Sequence, residues 1–238
     1  MLGLLVIIVI SWVLLHFIEK KNLNVLGIIP NKNRTIQFII GLIMISLICL
    51  LMIYIETQIK SITWKQQVIN YKSMGNAFIY HLRSALTEDL VFRGALLYIL
   101  ISRIGSKWAI LISAFIFGVY HVFSYGMTND RIVPIIYVVL VTGFTGYVWA
   151  YGFHKTKSIM LGLGLHIGYN FIMTCFYSSQ PFGELLFIEL SKTDLSEWNQ
   201  FYYSLFRGFF PSMMTLIGFK FLFKSNLFTN HIKVENAR

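Results

Sequence analysis

The sequence specifies an all-α, polytopic membrane helical bundle of about seven transmembrane helices, or eight, and three features say so. Charged residues are 13% of the 238 and hydrophobic ones 56%, about half the charge of an ordinary soluble domain. Mean hydropathy is +0.67. Seven apolar stretches run roughly over 1–18, 36–55, 76–100, 108–125, 132–151, 158–177 and 205–223, most of them close to the ~20 residues a helix needs to span a bilayer. They consume most of the chain, so residues 1–238 read as one multi-pass domain of the cell membrane. A soluble enzyme, a disordered regulator and a disulfide-stapled secreted domain are excluded.

The first stretch begins MLGLLVIIVISWVLLHFIEKK. It lacks a basic leader and a small-residue cleavage site, so it reads as an uncleaved span followed by its positive charges. Cys49 and Cys175 sit in apolar runs outside any C-x-x-C and read as small core or lipid-facing residues. No repeat or low-complexity tract appears. The segment 178–190 is the ambiguous one: Phe182, Leu185, Leu186, Phe187 and Ile188 suit an interfacial or re-entrant helix, and an eighth span would arise there.

Loop charges orient the bundle. Lys20, Lys21, Lys32 and Arg34, then Arg103 and Lys107, then Lys155 and Lys157, then Lys220, Lys224, Lys233 and Arg238 fall in alternate segments. The other set holds only Lys60, Lys65, Lys72, Arg131 and Lys192. The positive-inside rule therefore places the N-terminus outside and the C-terminus in the cytoplasm. The net charge of +10 needs no nucleic acid to explain it, because no basic stripe lies outside the apolar segments.

The third stretch, AFIYHLRSALTEDLVFRGALLYIL, carries His81, Arg83, Glu88, Asp89 and Arg93 in one hydrophobic segment. A charge at the bilayer centre costs ~3 kcal/mol on insertion scales, so such residues need partners, water or a task. Asp89 and Arg93 are spaced to pair on one helix face, which serves packing as well as function. Glu88 is rotated ~100° from Asp89 and looks toward another helix. The fourth stretch holds His121, with Phe117 one turn before it. The sixth holds His166 and Asn170 side by side, with Gly162, Gly164 and Gly168 allowing a neighbouring helix to come close. Each polar residue alone is as consistent with helix packing as with chemistry.

Together, one carboxylate, two histidines and an amide on three spans can deprotonate a water and donate hydrogen bonds to an oxyanion. Glu88, His121 and His166 would equally serve as ligands of a divalent metal such as zinc. Absent motifs narrow the choice. There is no H-E-x-x-H, which argues against a zincin-type protease, and no G-x-S-x-G, which argues against a serine nucleophile.

Three motifs in order carry a resemblance. Glu88, Asp89 and Arg93 resemble the E-E-x-x-x-R motif of the CAAX protease and bacteriocin-processing (CPBP, or Abi) intramembrane proteases. Phe117 and His121 resemble their F-x-x-x-H motif, and His166 and Asn170 their H-x-x-x-N motif. The resemblance covers roughly residues 75–177. It implies that Glu88 and His121 activate the attacking water, that His166 and Asn170 steady the oxyanion, that Arg93 orients the acidic pair and that Phe117 packs beside the site. Asp89 departs from the usual second Glu, being one methylene shorter. Whether a metal takes part is open.

The function so implied is an intramembrane endopeptidase cutting a hydrophobic or membrane-associated peptide, in maturation of a bacteriocin or peptide pheromone or in self-immunity. The alternative is a non-proteolytic membrane scaffold or immunity factor on the same fold. A cation-coupled transporter is a third reading. It calls for a second acidic site on another span or an internal repeat, and the sequence shows neither.

Overall fold

A computed structural model describes residues 2–224. Eight α-helices account for most of it: α1 (Leu2–Glu19), α2 (Lys32–Lys60), α3 (Tyr71–Phe92), α4 (Ala95–Ile104), α5 (Ser106–Ser124), α6 (Ile132–Thr156), α7 (Met160–Phe176) and α8 (Glu197–Leu222). Two strands, β1 (Thr63–Gln66) and β2 (Phe187–Ser191), pair antiparallel. The helices α1, α2, α5 and α6 are long and apolar enough to cross a membrane, and α7 is a shorter apolar helix. Their outer faces are apolar: on α1 only Ser11 and Leu15 are buried, while Leu2, Leu5, Val9 and Phe17 are exposed. Where hydrocarbon is the solvent, such a surface has no cost and backbone groups are satisfied within each helix.

Each apolar stretch of the sequence lies on a helix, with one break. The third stretch, expected as a single span, is divided at Arg93 and Gly94 into α3 and α4. A Cβ at Gly94 would stand 2.1 Å from the Leu90 carbonyl oxygen, so glycine is needed for this turn. Arg93 caps α3, its backbone N–H donating to the Asp89 carbonyl, and the Ser113 hydroxyl donates to the Phe92 carbonyl at 2.8 Å. A carbonyl left over at the helix end thus keeps a partner.

The core lies between α2, α5, α6, α7 and α8, around Ile45, Phe117, Trp149, Leu165 and Phe219. Here α2 and α7 nearly touch backbone to backbone. A Cβ on Gly164 would lie 2.1 Å from the Phe38 carbonyl oxygen, and one on Gly168 2.5 Å from Ile45. Gly162 has open space beside it, so only part of the glycine run serves close approach. Cys49 and Cys175 are both free and buried.

The segment 178–190 is not a helix. Turns at 178–186 lead into β2, whose register on β1 sets Lys65 opposite Ile188 and Gln66 opposite Phe187. The pairing satisfies backbone that a helix would have satisfied internally. Phe182 and Glu184 both have φ near +60°, a conformation that no helix of L-residues sustains. A second correction concerns Glu56, one residue beyond the expected second span. It is a buried acid on α2, 3% exposed, so a second acidic helix is present.

The two ends of the bundle gather different loops. At one end β1 and β2 join the 61–70 and 178–196 loops. At the other, Arg103 bonds Glu19 at 3.0 Å and Ser158 bonds the Gly27 carbonyl at 3.1 Å, tying together the three basic loops. The basic residues Lys233 and Arg238 lie outside the described residues. By the positive-inside rule, the Glu19–Arg103 end is the one expected to face the cytoplasm. Reporter fusions after Lys224 and at Asp194 should give opposite signals, and equal signals would mean that α8 does not cross.

Candidate active site

The α3–α4 break sets the site. Asp89 and Arg93 are each 1% exposed and paired at 2.7 Å, Oδ1 to Nη1. The i, i+4 spacing brings them together, and the pairing offsets the desolvation that either would suffer alone. Arg93 then lies over two rings, Phe117 at 4.0 Å and Trp149 at 4.9 Å from Cζ to centroid. Asp89 Oδ2, Arg93 Nε and Nη2, and His166 Nδ1 have no hydrogen-bond partner among the described residues. Aromatic faces stand in for hydrogen-bond acceptors around the guanidinium.

His166, on α7 and 5% exposed, lies against this pair. Its Nδ1 is 3.6 Å from Asp89 Oδ1 and its Nε2 is 3.8 Å from Glu88 Oε2. The Trp149 ring packs on it with centroids 4.6 Å apart. Two adjacent carboxylates on α3 thus address opposite nitrogens of one imidazole. Glu88 also accepts a hydrogen bond of 3.3 Å from the Ser84 hydroxyl, one turn earlier. The 3.8 Å gap is too long for a direct hydrogen bond and is a distance at which a water can bridge.

His121 approaches from α5. Its Nδ1–H donates to the Phe117 carbonyl at 2.8 Å, the four-residue spacing again deciding the partner. That bond fixes the neutral tautomer and leaves Nε2 as an acceptor. Phe117, Tyr120 and Tyr125 enclose the ring, with Phe117 nearest at 4.4 Å between centroids. Phe117 therefore has two contacts, one on Arg93 and one on His121. His121, His166 and Asn170 all line one cavity of about 310 Å³.

The structure thus brings Glu88 and Asp89 onto His166, with Arg93 on Asp89, and His166, Asn170 and His121 onto one cavity. Of the other ionisable residues in the third stretch, Arg83 is exposed. His81 is buried and shares a 2.7 Å hydrogen bond with Thr174 Oγ1, joining α3 to α7 away from the cavity lining. Among the described residues no three His, Cys, Asp or Glu side chains converge closely enough to hold a metal ion. Glu88, His121 and His166 are not assembled as a ligand set in this geometry.

Several residues of the site carry no motif. Trp149 supports both Arg93 and His166, and nothing in its apolar stretch marks it. Ser84 is one of many serines. Arg207, which lines the same cavity, carried a usable signal: it is an ionisable residue within the last apolar stretch.

The model of one protein family, described as Type II CAAX prenyl endopeptidase Rce1-like, matches residues 70–172. That segment is similar to the CAAX-type endopeptidases. It runs from the start of α3 into α7 and contains all three motifs. The apolar helices and this similarity together indicate a multi-pass membrane protein. Neither the comparison with curated proteins nor that with solved structures gave a match.

Asp89→Asn removes the only ion-pair partner of Arg93 among the described residues. Stranding one member of a buried pair costs about 3–5 kcal/mol. The variant should accumulate poorly in membranes and melt at lower temperature in detergent; normal abundance and an unchanged melt would show that the pair does not hold the fold.

Proposed function

We propose that the protein is an intramembrane endopeptidase in which Glu88 and His121 activate water, while His166 and Asn170 stabilise the oxyanion. The observation that supports this best is the approach of Glu88 Oε2 to His166 Nε2 at 3.8 Å beside a cavity that His121, His166 and Asn170 share. A carboxylate buried for packing alone would be matched by a cation. Glu88 is instead offered an imidazole and a serine hydroxyl, while the nearby cation Arg93 is bonded to Asp89.

The steps follow from the groups. Water held between Glu88 and His121 gives a proton to this base pair as its oxygen bonds to the peptide carbonyl carbon. Negative charge develops on the carbonyl oxygen, where His166 and the Asn170 amide donate hydrogen bonds. The C–N bond then breaks, and the departing amine takes the proton back. Asp89 and Arg93 act as positioning residues, fixing the His166 ring from its Nδ1 side.

The substrate is a hydrophobic or membrane-associated peptide that enters from the bilayer. The family description supports a prenylated CAAX-type sequence as a probe, and a bacteriocin or peptide pheromone has the same physical character. Intact Glu88, His121, His166 and Asn170 favour catalysis over a scaffold role. Glu88→Gln keeps the shape of the side chain and is cheaper to bury than a carboxylate. In nanodiscs containing a farnesylated fluorogenic peptide, it should lower cleavage by about 10²–10⁴-fold at unchanged abundance. Cleavage at the wild-type rate would turn the reading to a scaffold.

A further inference from the structure

Among the described residues, α6 brings four polar side chains to the cavity: Tyr137, Thr142, Thr145 and Trp149. Three are committed elsewhere. The Tyr137 hydroxyl donates to the Ser204 carbonyl at 2.6 Å, and the Thr142 hydroxyl to the Val138 carbonyl at 2.7 Å. The Thr145 hydroxyl lies 2.7 Å from Ser212 Oγ and donates to the Val141 carbonyl at 3.1 Å. Trp149 differs. Its contacts to Phe117, His166 and Arg93 are all made by the ring, and its indole N–H bonds no described residue. The side chain is buried, yet Nε1 is not among the sealed, unpaired atoms of this region, which are Asp89 Oδ2, Arg93 Nε and Nη2, and His166 Nδ1. The N–H therefore meets the open space of the cavity that Trp149 lines. An unpaired donor in such a place is costly unless something taken up by the cavity accepts from it.

We propose that the Trp149 indole N–H is a third hydrogen-bond donor to the oxyanion, which makes Trp149 a catalytic residue as well as a support for Arg93 and His166. The proposal rests on the endopeptidase reading above. His166 and Asn170 both project from α7, so an oxygen bonded by them alone is held from one helix. His121 has no donor to add, because its Nδ1–H is spent on the Phe117 carbonyl. Trp149 comes from α6, and its ring centroid is 4.6 Å from that of His166. An N–H on a ring that close is within reach of an oxygen bonded to the imidazole. The Arg93 guanidinium, 4.9 Å from the indole centroid, is attracted to the ring electrons and leaves the N–H the stronger donor. As the water oxygen adds to the carbonyl carbon, the carbonyl π pair moves onto its oxygen, which accepts from His166, Asn170 and Trp149. The indole keeps its proton throughout; the departing amine takes the one that water gave up. Charge on that oxygen grows as the new C–O bond forms, so the contact is strongest in the transition state and is read in kcat with KM unchanged.

The test uses the full chain in lipid nanodiscs, with Trp149 replaced by 3-benzothienylalanine, the same bicycle carrying sulfur in place of the N–H. Ring contacts with Arg93 and His166 are kept and only the donor is lost. With a farnesylated fluorogenic peptide, kcat should fall by about 10²-fold, as on removal of one oxyanion donor, with KM within twofold of wild type. A second measurement is independent of how much protein folds. In a Glu88→Gln background, which spares the peptide, Kd is measured for the uncut peptide and for the corresponding peptide aldehyde, whose hydrate sets an oxygen where the oxyanion forms. The aldehyde's advantage over the peptide, taken within one protein, should shrink by at least tenfold when sulfur replaces the N–H. A kcat within tenfold of wild type, or an unchanged aldehyde advantage, overturns the donor. A loss carried by KM with kcat preserved also overturns it and leaves Trp149 a binding or packing residue. Wild-type cleavage that Glu88→Gln abolishes upholds the protease reading whichever way the sulfur variant behaves. Absence of cleavage by the wild type overturns both.

Discussion

A single buried ion pair organises this molecule. Asp89 and Arg93 bond at 2.7 Å where α3 ends, and neither would be tolerable in the bilayer alone. The pair determines what surrounds it. Arg93 needs electron-rich neighbours for the donors that Asp89 leaves free, and Phe117 and Trp149 supply them. Asp89 turns one oxygen toward His166. Just past the pair the helix breaks at Gly94, where a Cβ would stand against the Leu90 carbonyl. Three helices are thereby fixed around one charge pair, and the neighbouring residue, Glu88, is left facing the far side of the His166 ring.

The remaining architecture holds α7 in place for this contact. Close approach of α2 at Gly164 and Gly168 leaves α7 little freedom to slide. At one end the β1–β2 pair ties the segment after α7 to the segment after α2. In the same region Glu56, Tyr177 and Arg207 link α2, the end of α7 and α8. Membrane helices gain little from the hydrophobic effect against one another, so contacts of this polar and small-residue kind fix their geometry.

Much of this was legible because polar residues are expensive in a bilayer and therefore conspicuous. Glu88, His121, His166 and Asn170 stand out against apolar neighbours, and helical spacing alone pairs Asp89 with Arg93 and Phe117 with His121. The break at Gly94 was hidden, since a glycine inside an apolar run reads equally as a packing residue. The strand Phe187–Ser191 was hidden for a different reason: its partner is far away in the chain, and a short apolar run has no period that separates strand from helix. Trp149 was invisible because its role depends on two residues from other helices. Glu56 and Arg207 obeyed the same rule as Glu88 and could have been found with it. They sit near the margins of their apolar stretches, where a charge is cheaper and attracts less notice.

In the proposed mechanism the Asp89–Arg93 pair serves catalysis by fixing His166, beyond its service to folding. The double variant Asp89→Leu with Arg93→Met separates the two. Replacing both members of a buried pair with apolar side chains is often neutral or stabilising, so the account predicts near-normal abundance with cleavage reduced by at least about a hundredfold. Cleavage at the wild-type rate by a normally abundant double variant would contradict it.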